Sequence, residues 1–205
     1  MTAVPEKVYS IEEYLELERN SEEKLEFWDG HVWSMSGARF VHNLISSNFN
    51  WALGNRLVGR PCSVLPSGMR VKVPDYPPYR YPDATALCEE PEIETIGGVE
   101  MLVNPQLIVE ILSDSTEAFD RGDKFTYYKS IPSFSEYLLI AQHRPHVTQF
   151  VKHGDGFWAN FEYNDLKDVI ELRSVSCSLA LVDIYRDVTF PDPGPLSPRQ
   201  NSHLS

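Results

Sequence analysis

Glu110 sits in the stretch LIVEILSDST, where five of the six residues from Leu107 to Leu112 are aliphatic. Such a run reads as a buried strand, and an ionised carboxylate there costs several kcal/mol unless a cation or hydrogen-bond donors meet it. Asp83, directly after Pro82, opens a second strand-like segment, DATALC. If the two strands are neighbours in one sheet, both carboxylates converge near one edge. Two carboxylates a few Å apart raise each other's pKa unless a cation neutralises them. Oxygen ligands of this kind suit Mg²⁺ or Mn²⁺, which lower the pKa of a bound water and offset charge developing on a phosphate. Each residue also has a plainer reading. Asp83 taken alone is a turn or strand cap, and Glu110 is the buried partner of an Arg or Lys, a reading that ranks second to metal binding.

Lys124 follows Glu110 by fourteen residues on an expected helix. It either makes a surface pair with Asp120 at i, i+4, worth a few tenths of a kcal/mol, or reaches back over the sheet edge to assist at a phosphate. Glu26, in KLEFW, shares a strand face with Lys24 and Trp28 on simple alternation. The default is a solvated face, and the sharper alternative is a third carboxylate at the metal site. His42 reads as a helix-face or capping residue, and His143, His146 and His153 lack metal-ligand spacing. No Gly-x-Ser-x-Gly elbow supports a hydrolase triad.

Several elements must place these residues. SIEEYLELERN starts a helix, with Ser10 and Glu13 spaced as a capping box. KLEFWDGHVWSMSG is a hairpin about Asp29-Gly30, the pair that favours a type I′ turn. RFVHNLISSNFNWALGNRLVG has helical spacing. CSVLPSGMRVKVP holds one or two short strands, PDYPPYRYP is a loop, and an acidic linker runs to about residue 104. After QLIVEIL, the segment STEAFDRGDKFTYYKSI forms one helix that stops before Pro132. EYLLIA, HVTQFVKH and FWANFEYN are strands, and DVIELRSVSCSLALVDIY closes the fold. The fold class is therefore α/β of mixed α+β type, one domain over residues 1–190 around a central sheet, with residues 191–205 a disordered tail.

The net charge of −12 argues against a generic basic nucleic-acid surface. Residues 81–120 hold ten acidic residues and no Lys or Arg, so a cation must stand between this region and any phosphate. No apolar run approaches a membrane span and no signal-peptide block opens the chain, so a cytoplasmic protein is expected. Cys62, Cys88 and Cys177, odd in number and widely spaced, suit reduced thiols.

Taken in order, KLEFWDGHVW, MSGARFVHNLI, YPDATAL, LIVEILSDST, DRGDKFTYYKSIPSFSEYLLI and LVDIY resemble the Uma-type putative restriction endonuclease family, within the PD-(D/E)XK nuclease superfamily. The resemblance runs from about residue 8 to 188. It implies a restriction-endonuclease-like core, a central mixed sheet flanked by helices, and Mg²⁺-dependent endonuclease hydrolysis of nucleic acid, DNA before RNA. On it, Asp83 and Glu110 are metal ligands and Glu26 adds to the site. The superfamily's lysine falls two residues after the second acid, where this chain has Leu112, and Lys124 is the matching cation on the following helix. Homodimerisation follows by analogy, two sites for two strands. The alternatives are a nuclease-fold binding or regulatory module with little hydrolysis, favoured by the acidic chain, and an unrelated hydrolase of small phosphate esters.

Overall fold

The structure is a computed structural model that describes residues 7–34 and 37–190. The expected tail at 191–205 and residues 35 and 36 of the first hairpin segment lie outside those described residues. The chain runs α1 (Ile11–Asn20), β1 (Leu25–Trp28), β2 (His31–Ser34), α2 (Phe40–Leu57), β3 (Ser63–Pro66), β4 (Val71–Lys72), β5 (Tyr79–Arg80), β6 (Ala84–Leu87), β7 (Ile93–Ile96), β8 (Val99–Leu102), β9 (Leu107–Leu112), α3 (Glu117–Arg121), α4 (Asp123–Tyr128), β10 (Glu136–Ala141), β11 (Val147–Lys152), β12 (Trp158–Tyr163), β13 (Val169–Leu172), β14 (Cys177–Ala180) and α5 (Leu181–Ile184).

The expected central mixed sheet is present, six strands in the order β12-β11-β10-β9-β6-β3. β9 and β10 are parallel and joined across α3 and α4; the remaining pairs are antiparallel. Both central strands are buried along their whole length, which is why LIVEIL and EYLLIA are continuous apolar runs rather than alternating ones. Val109 and Ile111 face a core built with Ile45, Phe49 and Leu53 of α2. Ile108 and Leu112 face the opposite core with Phe125, Tyr128, Phe134 and Tyr137. Period-two alternation puts Glu110 on that second face, under α4.

Around the sheet lie the β1-β2 hairpin, the β13-β14 hairpin and a small sheet ordered β5-β4-β8-β7. A third core joins α1 to these N-terminal pieces through Tyr14, Phe27, Tyr79, Tyr81 and Met101. The capping box forms as read: Glu13 N–H donates to Ser10 Oγ at 3.2 Å, and Ser10 N–H to Glu13 Oε2 at 2.9 Å.

Three sequence expectations are corrected. The acidic linker contains the β7-β8 hairpin, turned by Gly97 and Gly98, both at positive φ. The single helix after β9 is two, broken at Gly122, whose φ of −107° and ψ of −97° leave the helical region. Cys62 and Cys88 are not free thiols but a disulfide. The β3-β6 register sets Ser63 opposite Leu87, so the next pair outward brings the two cysteines together, with Cα atoms 3.9 Å apart. Cys177 remains free. Among the described residues no helix is long and apolar enough to cross a membrane.

The Asp29-Gly30 turn has both residues at positive φ, +44° and +80°, as a type I′ hairpin requires. A Cβ on Gly30 would also lie 2.3 Å from Val8 Cγ1. Gly30→Ala is therefore expected to cost about 1–2 kcal/mol, a drop of a few °C in thermal midpoint. Gly154→Ala, where an added Cβ meets nothing within 4 Å, should leave the midpoint nearly unchanged in the same calorimetric scan.

Candidate active site

Because β6 and β9 are antiparallel neighbours with Ala84 opposite Val109, Asp83 falls opposite Glu110 at the end of the pair. The backbone fixes Asp83 directly: the N–H of Ile111 donates to its Oδ2 at 2.7 Å. Its other oxygen lies 3.2 Å from Nε2 of His42, on the first turn of α2. The two strand-borne acids read from sequence are thus placed together by register.

Two groups meet Glu110. Lys124 Nζ lies 2.9 Å from Oε1, and the Tyr128 hydroxyl donates to the same oxygen at 2.8 Å. Both come from α4, one turn apart, so the break at Gly122 positions the helix that covers the acid. Lys124 is 4% exposed and Glu110 3%, so this is a buried pair. Lys124 also lies 3.4 Å from Asp120 Oδ1, but that partner is buried as well, and the expected surface pair is instead part of the cluster.

Glu26 is likewise buried, which corrects the expectation of a solvated strand face. Its Oε1 accepts from the N–H of Tyr81 at 3.2 Å, and its charge acts on both Lys124 and Tyr128. Asp120 and Tyr128 are site residues that sequence reasoning missed. Asp120 had appeared only as a surface partner, and nothing local marks a tyrosine as aimed at an acid.

Three carboxylates, Glu26, Glu110 and Asp120, therefore act on one ammonium, and Asp83 acts on Glu110 and Asp120. Burial pushes the Glu110 carboxyl well above the usual range; Lys124 opposes this, and Asp120 and Asp83 add to it. Burial raises Asp120 as well. Burial works against the charge on Lys124, but Glu110, Glu26 and Asp120 outweigh it and hold the ammonium well above its ordinary value. Lys124 stays charged, and burial first, with Asp120 and Asp83 after it, makes Glu110 hold a proton more tightly.

The donor set fits a hard divalent cation in its chemistry: oxygen ligands only, excess negative charge, and two acids held on adjacent strands. Among the described residues no three of His, Cys, Asp or Glu already stand in a metal-binding arrangement. Mg²⁺ needs only one or two protein carboxylates, so the pair Asp83 and Glu110 suffices.

The chain as a whole is similar to known proteins. Residues 11–182 match the Uma2 family, described as "Putative restriction endonuclease". An uncharacterised protein of Synechocystis sp., slr1290, is 33% identical over 181 residues, 88% of this chain and 93% of its own length. A second, sll1609, is 35% identical over 158 residues, 77% of this chain and 89% of its own. The crystal structure of a putative nuclease belonging to DUF820 from Anabaena variabilis superposes with a TM-score of 0.67 at 15% identity, covering 85% of this chain and 96% of that one. At that identity the likeness concerns the fold.

Deleting the ammonium leaves its carboxylates buried without a counter-charge. Lys124→Met should destabilise the protein by roughly 3 kcal/mol, near 10 °C in thermal midpoint. Adding Glu110→Gln should recover part of that loss. Additive costs in a double-mutant cycle would mean that the two side chains do not interact.

Proposed function

Since the chain belongs to the Uma2 family of restriction-endonuclease-like proteins, we propose that it is a nuclease that hydrolyses phosphodiester bonds of nucleic acid, DNA in the first place, with a divalent cation. The observation that carries the reading is Asp83 opposite Glu110 with a buried, charged lysine against them. Asp83 and Glu110 would hold Mg²⁺ or Mn²⁺, with Glu26 close enough to add charge to the site. When bound, the ion supplies Lewis-acid stabilisation of the phosphate charge.

The chain's own residues do the rest. The Ile111 N–H and the Tyr128 hydroxyl each fix one oxygen of the two acids, so the carboxylates need no reorganisation. Lys124, kept charged by its neighbours, donates to the phosphate or to the attacking water as negative charge grows on the phosphoryl oxygens. Water adds to phosphorus in line and gives up a proton to solvent, while the P–O bond to the leaving sugar oxygen breaks and that oxygen takes a proton from solvent. The lysine is supplied from α4, because the position two residues after Glu110 is Leu112, buried in the core. For a duplex substrate the reading carries two copies of the chain, one site per strand.

One observation favours a second reading, a nucleic-acid-binding or regulatory module without turnover: Glu110 is already met by Lys124 and Tyr128 within the protein. The test separates the two. Plasmid and oligonucleotide cleavage with Mg²⁺ or Mn²⁺ should be present in wild type. It should fall at least a hundredfold in Asp83→Asn, Glu110→Gln and Lys124→Ala, in the range of losing one preorganised charged group. Mg²⁺ should raise the thermal midpoint of wild type and not of Asp83→Asn. Cleavage equal in wild type and Glu110→Gln would sink the nuclease reading. Binding without cleavage in wild type would leave the module.

A further inference from the structure

A cavity of about 630 Å³ has Tyr9, Trp28, Asp29, Asp75, Tyr76 and Arg80 in its walls. Its volume is in the range of small-molecule sites. β1 joins it to the acidic cluster: Glu26 belongs to the cluster, and Trp28, two residues on and on the same strand face, lines the cavity. That separation is about 7 Å along the strand, close to the reach from one nucleotide to its neighbour. Arg80 and Tyr81 repeat the link, since Tyr81 N–H holds Glu26 while Arg80 forms cavity wall.

Arg80 is the side chain that core packing does not account for. It is 1% exposed, and its guanidinium donates to the carbonyl of Tyr79 at 2.7 Å. Among the described residues no carboxylate stands within ion-pair distance of it. It is held instead over the rings of Trp28 and Tyr127, at 5.8 and 5.6 Å from their centroids. A buried guanidinium without a counter-ion is costly, and its four free N–H directions are a fork suited to a planar acceptor. Trp28 and Tyr76 line the same cavity, each stacked or tilted against Tyr127 at 4.5 and 4.1 Å. Asp29 and Asp75 bring acceptors to the same cavity.

Two carboxylates beside one guanidinium disfavour a phosphate as occupant. They suit a planar, uncharged group with donors and acceptors on its edge. We propose that the cavity receives one unstacked nucleobase of the substrate strand, next to the phosphate held at Asp83 and Glu110. Its face lies on the Trp28 and Tyr76 rings, Arg80 donates to its ring nitrogen or carbonyl, and Asp29 or Asp75 accepts from its amino group. The inference rests on the nuclease reading and names a recognition element within it.

The test uses the full-length protein, a labelled single-stranded DNA oligonucleotide and an abasic strand of the same length and charge. Binding is read by anisotropy at low salt with Ca²⁺ in place of Mg²⁺. The abasic strand should bind wild type about tenfold more weakly, and Tyr76→Ala, in the loop between β4 and β5, should lose about the same factor for the intact strand only. Intact strand should also quench tryptophan fluorescence, and abasic strand should not. Equal binding of the two strands by wild type overturns the base pocket without recourse to any variant, and so does a Tyr76→Ala protein that folds and still discriminates them. Cleavage is measured in parallel. Metal-dependent cleavage with no base dependence removes this proposal alone, and a base-dependent complex with no cleavage keeps the pocket while removing the nuclease reading. No binding of either strand removes both.

Discussion

The ammonium of Lys124, sealed under α4 with carboxylates from three other elements, is the constraint on which this arrangement turns. Taking charges out of water costs several kcal/mol per ion even after relaxation, and packed apolar side chains of similar volume are often as stable or more so. The cluster is thus not explained by stability. β6 must lie beside β9 in one register to bring Asp83 opposite Glu110, and the chain must break at Gly122 for α4 to lay Lys124 and Tyr128 on one oxygen of Glu110. A one-residue slip of either strand would turn its carboxylate to the α2 face, among Ile45, Phe49 and Leu53. The surrounding sheet is apolar on both faces, which makes such a slip costly.

Position in the sequence is a poor guide to who supplies the cation. Lys124 reaches Glu110 from fourteen residues away, across a loop and a broken helix, and the adjacent candidate position is filled by a core leucine. A lysine on the same strand would have its geometry fixed by the sheet. A lysine on a short helix is fixed by that helix's packing, here Phe125, Tyr127 and Tyr128 against the second core. The position of the lysine then depends on aromatic packing as much as on the charged residues themselves.

Legibility followed the range of the forces. The capping box, the Asp-Gly hairpin and the two central strands were readable because their signals lie within a few residues. The oddity of Glu110 was readable too, since an acid in an apolar run needs no partner in view to look costly. Its partners were harder. A buried Arg or Lys was read as the second possibility for Glu110 without saying which, and Lys124 only as a partner of Asp120 or an assistant at a phosphate; in the structure Lys124 and Tyr128 meet Glu110 directly. Glu26 looked solvated because alternation says which residues share a face and not which face is covered. The bond between Cys62 and Cys88 depends on the β3-β6 register, and the β7-β8 hairpin on two glycines in a stretch whose charge reads as solvated loop. Asp120 gives no local sign of burial.

The carboxylate cluster and the neighbouring cavity stand on elements of different size. Glu110 belongs to β9 in the interior of the six-stranded sheet, and Asp83 directly precedes β6 beside it. Trp28, Asp29, Tyr76 and Arg80 belong to a two-stranded hairpin, a loop and a two-residue strand. Small two-stranded pieces are marginal on their own and take their stability from what they pack on. The N-terminal hairpin packs through Phe27 on Tyr14 of α1 and through Trp28 on Tyr127 of α4, the same helix that carries Lys124. Anything that presses on Trp28 or Tyr76 therefore bears on α4 through Tyr127, two side chains from the ammonium. The hairpin is coupled to the lysine through the charge of Glu26, and to α4 through the contact of Trp28 with Tyr127. That coupling follows from contacts between Trp28, Tyr76 and Tyr127 and needs no movement of the strands that hold the acids.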